Sequence, residues 1–142
     1  MSKKATARTK ARATTVRQFA ESVREDYANL DLDPKRTTAG LGYVIHERGE
    51  GADLRKGETV SVHYVGLLVA DGEVFDESFS DGHPIKFRLG TGEVIGGWDI
   101  GIGLLRHGDR ASLFIPAALG YGSDGTEGIP GGAELLFYVE VG

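Results

Sequence analysis

The sequence predicts an α+β fold in which a twisted antiparallel sheet of five to six strands wraps around one short helix, preceded by a basic tail and one amphipathic helix. Three observations predict it. Apolar and polar residues alternate over several segments after residue 39. All 22 glycines lie in that same region, where they mark turns between strands. A helical period occurs in only two places, before residue 36 and between residues 94 and 105.

The first 36 residues differ in charge from the rest of the chain. They carry nine basic and five acidic residues, whereas the remaining 106 carry seven and sixteen. Residues 1–13 hold five basic side chains, no acid and no large apolar side chain after Met1, so we expect a disordered basic tail. A solubilising extension is favoured. Nucleic-acid binding is the weaker alternative, because the tail has no aromatic side chain to stack on bases.

Residues 14–36 are predicted to form an amphipathic helix and a linker. Apolar side chains at helical spacing make up one stripe: Val16, Phe19, Ala20, Val23, Tyr27 and Leu30. Thr14 or Thr15 is the expected cap at its start, and Pro34 lies beyond its end. The stripe needs a partner, either the domain's own surface or a second copy of the chain. A dimer through the helix at 14–31 therefore stays open, and the oligomeric state is not predicted.

Residues 37–142 form the predicted main domain. Alternating segments predict strands at 41–47, 59–69, 74–76, 85–89, 109–115 and 134–141. Asp71-Gly72 is a strong hairpin signal. Residues 94–105 give the only helical pattern inside the domain. That segment is rich in glycine and β-branched residues, so packing rather than propensity must hold the helix.

Several classes of function are excluded by what the sequence lacks. Without cysteine there is no disulfide or thiolate chemistry, and the four histidines form no HExxH motif, so we expect no metal site and no cofactor. The GxG fragments at 90–92 and 101–103 lack the context of a dinucleotide site, and no Walker A or GxSxG motif is present. No apolar run approaches about 18 residues. We expect no membrane segment and a cytoplasmic location.

The single tryptophan, Trp98, follows two aliphatic residues and two glycines. Glycines beside an indole let backbone or ligand approach the ring closely. Considered alone, a tryptophan in this setting is more often a core residue than the floor of a binding pocket. The surrounding motifs change that balance.

Five separated motifs resemble the FKBP-type peptidyl-prolyl cis-trans isomerases in order and spacing. They are VHYVG at 62–66, DGEVFDES at 71–78, VIGGW at 94–98, IP at 115–116 leading to GYG at 120–122, and IP at 129–130 leading to LLFYVEV at 135–141. The resemblance spans about residues 39 to 142. The lead-in TAGLGY at 38–43 resembles the bacterial branch that includes the macrophage infectivity potentiator proteins. Those proteins carry a signal peptide and a longer helical dimerisation arm, and we expect neither here.

The resemblance implies a proline-binding pocket with Trp98 as its floor. The catalytic residues it implies are Tyr64, Phe75, Asp76 and Phe137, and the substrate-binding residues are Ile85, Val94, Ile95, Trp98 and Tyr121. Asp76 is expected within reach of the Tyr64 hydroxyl, and the Ile95 N–H is expected to meet a substrate carbonyl. The sequence departs from the family's usual pattern at Ile85, Gly96 and Gly131-Gly132, where a phenylalanine, a basic residue and a proline-containing pair are common.

The implied activity is rotation about X-Pro bonds in proline-containing polypeptides, which assists protein folding. Rotation breaks amide resonance and lowers the polarity of the bond, so a dry aromatic pocket favours the twisted state without covalent or acid-base chemistry. Macrolide inhibitors are further implied ligands. Two alternatives stay open: a non-catalytic FKBP-like module that holds proline segments or a partner, and a folding chaperone.

Overall fold

A computed structural model describes residues 6–142 of the chain. The helices in this part are α1 (Ala7–Ala28) and α2 (Gly96–Ile102), with a short 3₁₀ turn at Ala117–Leu119. The strands are β1 (Lys35–Arg36), β2 (Gly42–Glu47), β3 (Thr59–Leu68), β4 (Val74–Glu77), β5 (Ile85–Arg88), β6 (Arg110–Ile115) and β7 (Leu135–Val141). The α+β prediction is confirmed, but the described part has seven strands rather than five or six.

All seven strands belong to one antiparallel sheet in the order β1-β2-β6-β7-β3-β4, with β5 also paired to β3. The ten-residue strand β3 is its organising element. One edge of β3 pairs with β7, and the other pairs first with β5 and then with β4. The strand that the sequence did not predict is β1. It has only two residues, and Lys35 lies opposite Tyr43 of β2. So short a strand has no alternating pattern of its own, which is why the sequence indicated a linker there.

Helix α2 lies against the inner face of the sheet because its glycines allow a close approach. A Cβ at Gly97 would lie 2.6 Å from the Ile115 side chain, and one at Gly101 would lie 2.8 Å from that of Leu113. The buried face of α2 includes Trp98 and belongs to the main core. The helix is shorter than the predicted 94–105, since Val94 and Ile95 precede it and its last residue is Ile102.

Helix α1 begins earlier than predicted. Its cap is Thr6, whose hydroxyl oxygen accepts a hydrogen bond from the Thr9 N–H at 3.1 Å. Residues 7–13 are therefore helical, which corrects the prediction of a disordered tail, and residues 1–5 lie outside the described residues.

The two threonines expected to cap the helix lie inside it. The hydroxyls of Thr14 and Thr15 donate to the backbone carbonyls four residues earlier, at 3.2 and 3.1 Å. Such a bond satisfies a threonine in mid-helix, so the capping residue type alone did not distinguish Thr6 from Thr14 or Thr15 as the start of this helix.

The apolar stripe of α1 packs on the outer face of its own sheet. Its buried members are Ala13, Val16, Ala20 and Val23, and they share a second core with Val65, Leu67, Phe114, Leu136 and Tyr138. Two predicted stripe residues are placed differently: Phe19 is 41% exposed, and Leu30 lies past the helix end and is 90% exposed. The domain's own surface is thus the partner that the stripe needed. Within residues 6–142, no helix is both long enough and apolar enough to cross a membrane.

Candidate active site

A cleft of about 590 Å³ opens over the inner face of the sheet beside α2. All nine residues that the resemblance implied line this cleft: Tyr64, Phe75, Asp76, Ile85, Val94, Ile95, Trp98, Tyr121 and Phe137. Four further lining residues were not predicted, namely Glu93, Thr126, Glu127 and Ile129. Their only sequence signal is that they flank or lie within the motifs at 94–98 and 129–130.

Trp98 is both a core residue and the floor of the cleft. Its side chain is 4% exposed and belongs to the main hydrophobic core. Two rings stand edge-on to the indole, that of Tyr64 at 5.1 Å and that of Phe137 at 5.3 Å between centroids. The two interpretations of Trp98 that the sequence left in competition are therefore compatible, because the floor is packed from below.

Gly66 allows the aromatic wall to form. It lies on β3 opposite Phe137 of β7, and the rings of Phe75 and Phe137 meet edge to face at 5.5 Å. A Cβ at Gly66 would lie 2.6 Å from Phe137 Cε1 and 2.8 Å from Phe75 Cζ. Any larger residue at this position would displace both rings, so Gly66 is a structural requirement of the site that the residue-by-residue comparison missed.

A hydrogen bond joins the two polar side chains at the mouth of the cleft. The Tyr64 hydroxyl donates to Asp76 Oδ2 at 2.7 Å, while Asp76 Oδ1 accepts from the Glu77 N–H at 2.9 Å. Partial burial and the Asp76 carboxylate raise the pKa of Tyr64 above its ordinary value. The phenol therefore keeps its proton and remains a donor at neutral pH.

The backbone of Tyr64 is fixed by Ser78, the residue that follows β4. The buried Ser78 hydroxyl oxygen accepts from the Tyr64 N–H at 2.8 Å and is hydrogen-bonded to His63 Nδ1 at 2.8 Å. The His63 ring stacks on Phe79, and burial lowers the pKa of His63, so this imidazole is neutral at pH 7. These contacts hold Tyr64 in place without bringing a titrating group into the cleft.

Hydrogen bonds to both ends of the segment 90–95, which leads into α2, fix its position. The Ile95 carbonyl accepts from the N–H groups of Trp98 and Asp99 at 3.0 and 3.2 Å. The Asp99 carboxylate in turn accepts from Gly90 N–H at 2.8 Å and Gly92 N–H at 3.0 Å. Ile95 is the N-cap residue, so its own N–H takes no part in the helical ladder.

Within residues 6–142, no group of three histidine or carboxylate side chains is arranged to hold a metal ion.

The family model described as FKBP-type peptidyl-prolyl cis-trans isomerase matches residues 50–142. The chain belongs to this family. The family membership that the five motifs implied is therefore confirmed. The enzyme class and the fold that the resemblance implied are confirmed with it.

Curated relatives agree with the assignment to FKBP-type isomerases. FK506-binding protein 2 of Aspergillus oryzae is 48% identical over 113 residues, covering 79% of this chain and 84% of that protein. Peptidyl-prolyl cis-trans isomerase FKBP15-1 of Arabidopsis thaliana is 52% identical, covering 81% of this chain and 74% of that protein. The match to FK506-binding protein 2 of Aspergillus fumigatus is 49% identical and covers 61% of this chain and 64% of the relative.

Two solved structures share the FKBP fold with this chain. AtFKBP13 is 36% identical with a TM-score of 0.73, over 77% of this chain and 96% of that one. FkpA from Escherichia coli is also 36% identical with a TM-score of 0.73, over 95% of this chain and 62% of that one.

Proposed function

We propose that the cleft isomerises X-Pro bonds in polypeptides, with the proline ring seated on Trp98. The observation that carries this proposal is the apolar floor enclosed by the edges of Tyr64 and Phe137. The uncatalysed bond rotates in tens to hundreds of seconds because amide resonance resists twisting. A site that binds the less polar twisted amide better than the planar one accelerates rotation, and about 1.4 kcal/mol of such preference gives a factor of ten.

The other lining residues have proposed roles that follow from their positions. Phe75 and Phe137 form the wall, while Tyr64 and Asp76 supply the polar edge. The Ile95 N–H orients a substrate carbonyl, because it is outside the helical ladder and borders the floor. The half-exposed residues Ile85, Val94 and Tyr121 line the entrance. No covalent intermediate or proton transfer is needed.

A protease-coupled assay on a proline peptide tests this function. We expect the slow phase of cleavage to accelerate in proportion to the concentration of the protein. Binding of the same peptide is followed by the fluorescence of Trp98, the only tryptophan in the chain. Quenching without acceleration would instead support the alternative, a module that holds proline segments without catalysis.

A macrolide of the FK506 type is a proposed ligand of the same cleft. Relatives about half identical to this chain are named FK506-binding proteins, and the cleft has a large apolar lining around Trp98. The expected result is saturable quenching of Trp98 fluorescence with parallel loss of turnover. Turnover that persists at saturating macrolide would contradict a shared site.

Branch, location and assembly remain proposals. The fungal and plant relatives do not support the macrophage infectivity potentiator-like branch, and the likeness to FkpA over 95% of this chain is the observation in its favour. A cytoplasmic location is proposed on the sequence alone. Burial of the apolar stripe of α1 on its own sheet argues against a dimer through residues 14–31. Sedimentation of the full chain tests the assembly.

A further inference from the structure

Among the residues that the structure describes, those at the rim of the cleft carry only negative charge. The described lining includes three carboxylates, Asp76, Glu93 and Glu127, and no lysine, arginine or histidine. Asp76 is engaged by the Tyr64 hydroxyl, whereas Glu93 and Glu127 are exposed to solvent. None of the three takes part in an ion pair with another residue of the described chain.

A hydrogen bond to its carboxylate holds Glu93 at the rim, whereas Glu127 is placed there by the turn that contains its backbone. Glu93 Oε2 accepts from the Arg88 N–H at 2.9 Å, which fixes its direction without neutralising its charge. Glu127 lies in a turn closed by two backbone bonds between Thr126 and Ile129, at 3.0 and 2.9 Å. Gly128 completes this turn with a φ of 79°, a backbone conformation that favours glycine.

The nearest basic residues along the chain do not line the cleft. Lys86 and Arg88 alternate on β5 with Ile85 and Phe87, and Ile85 lines the cleft while Phe87 is buried in the core. Successive side chains of a strand leave opposite faces, so the two basic side chains project away from the cleft. The whole chain carries a net charge of −5, which adds a long-range attraction for cations.

We propose that the cleft selects proline segments in which a residue adjacent to the proline is lysine or arginine, with Glu93 and Glu127 as the residues that determine this specificity. The inference rests on the proposed isomerase function. A long basic side chain suits the rim, because its methylene stem packs on apolar surface such as Tyr121 and Ile129 while its charge reaches a carboxylate in solvent. Complementary charge at a rim favours encounter and selectivity more than tight binding.

The expected effect is modest and sensitive to salt. Exposed ion pairs are weak, so kcat/KM for a lysine peptide should exceed that for a neutral peptide of the same shape by about three- to fivefold at low ionic strength. The Debye length falls from about 10 Å at 0.1 M to about 3 Å at 1 M salt. The advantage should therefore disappear at high salt.

The test compares peptides that differ only beside the proline. Lysine, norleucine and glutamate are placed before the proline in one set and after it in another, and turnover by the full chain is measured. Norleucine matches the lysine stem without its charge. In at least one set we expect lysine above norleucine and norleucine above glutamate. Equal turnover of lysine and norleucine in both sets would overturn the proposal.

Charge variants locate the effect. Glu127→Gln and Glu93→Gln should each reduce the ratio of lysine to norleucine turnover, and Glu127→Lys should bring it below one. Glu25→Gln makes the same charge change on an exposed residue of α1 away from the cleft, so it should leave the ratio unchanged. An equal fall in all variants would show a general field effect and overturn the assignment to the rim. If no peptide of either set is turned over, the isomerase function itself fails.

Discussion

The Tyr64 hydroxyl donates to Asp76 Oδ2 across 2.7 Å, which links β3 to β4 at the mouth of the cleft. The two residues are twelve positions apart and are brought together by the antiparallel pairing in which Gly66 lies opposite Asp76. Asp76 is exposed, whereas the Tyr64 ring packs against Trp98 in an edge-to-face contact. The pair thus connects the polar rim to the apolar floor.

Removal of the acceptor should reduce turnover while the fold is retained. Asp76→Ala leaves the Tyr64 hydroxyl without its acceptor at the mouth of the cleft, so we expect a severalfold lower kcat/KM on a proline peptide. Because Asp76 is exposed, the free energy of unfolding should fall by less than about 1 kcal/mol. Tyr64→Phe keeps the ring and removes the same hydrogen bond. If both variants retain full turnover, the bond has no role in catalysis.

A methyl group at Gly66 should damage the site more than one at Gly96. Gly66→Ala forces the Phe75 and Phe137 rings apart, since the new Cβ would lie 2.6 and 2.8 Å from them, so turnover and thermal stability should both fall. Gly96→Ala is the matched control, because its nearest neighbour would be Leu119 at an ordinary 3.6 Å. Equal turnover of the two variants in the peptide assay would show that the aromatic wall is unnecessary.

Turnover should be nearly independent of pH between 6 and 8. No histidine lines the cleft, and the pKa of Tyr64 is raised by burial and by Asp76. Burial lowers the pKa of His63, the histidine bonded to Ser78 behind Tyr64, and this ring lies outside the lining of the cleft. The profile of kcat/KM against pH reports any essential titrating group. A bell shape with its maximum in this range would contradict a mechanism without acid-base chemistry.

Stability should fall as the pH is lowered below about 6.5, the ordinary pKa of histidine in an unfolded chain. Burial between α1 and the sheet lowers the pKa of His46 in the folded state, so the unfolded chain binds the proton first and gains from it. Burial lowers the pKa of His63 in the same way, whereas His107, whose pKa is raised by its bond to the Gly142 carbonyl, contributes with the opposite sign. Thermal midpoints between pH 7 and 5.5 measure the net effect.

Substitution of His46 isolates its share of this loss. His46→Gln can keep a hydrogen bond to the buried Ser112 hydroxyl, which His46 Nε2 now meets at 2.7 Å. The decrease in thermal midpoint on acidification should be smaller in this variant than in the parent protein. His83→Gln changes an exposed histidine and serves as the control. An unchanged acid dependence in His46→Gln would contradict the assignment.

Burial of α1 on the sheet predicts a sharp difference between two alanines of the same helix. Ala20 is 0% exposed in the core beneath α1, whereas Ala11 is exposed. Ala20→Arg places a charge in that core and should lower the free energy of unfolding by several kcal/mol. Ala11→Arg should change it by less than about 0.5 kcal/mol. Similar denaturation midpoints for the two variants would show that the helix does not pack there in solution.

The strands other than β1 were predictable because each of them turns one set of alternating side chains towards the main core. Leu135, Phe137, Val139 and Val141 share the inner face of β7, as their period of two indicated. The start of α1 was not predictable from residue type, since Thr6 and Thr14 are equally good caps and only packing distinguishes them.

Site residues were predictable only through the resemblance. Composition and periodicity favoured a core role for Trp98. Only the order and spacing of the five motifs predicted that these residues line one cleft. Glu127 escaped prediction because its place at the rim depends on a turn closed by tertiary geometry. Gly96 has no steric reason to be glycine, since nothing within 3.6 Å would oppose a Cβ.

Exchange NMR on a proline peptide tests the central claim most directly. The account predicts that a substoichiometric amount of the protein produces cross-peaks between the cis and trans forms within a second, where the free peptide needs tens to hundreds of seconds, and leaves their populations unchanged. Cis and trans forms that interconvert at the uncatalysed rate, while Trp98 fluorescence shows the peptide bound, would contradict it.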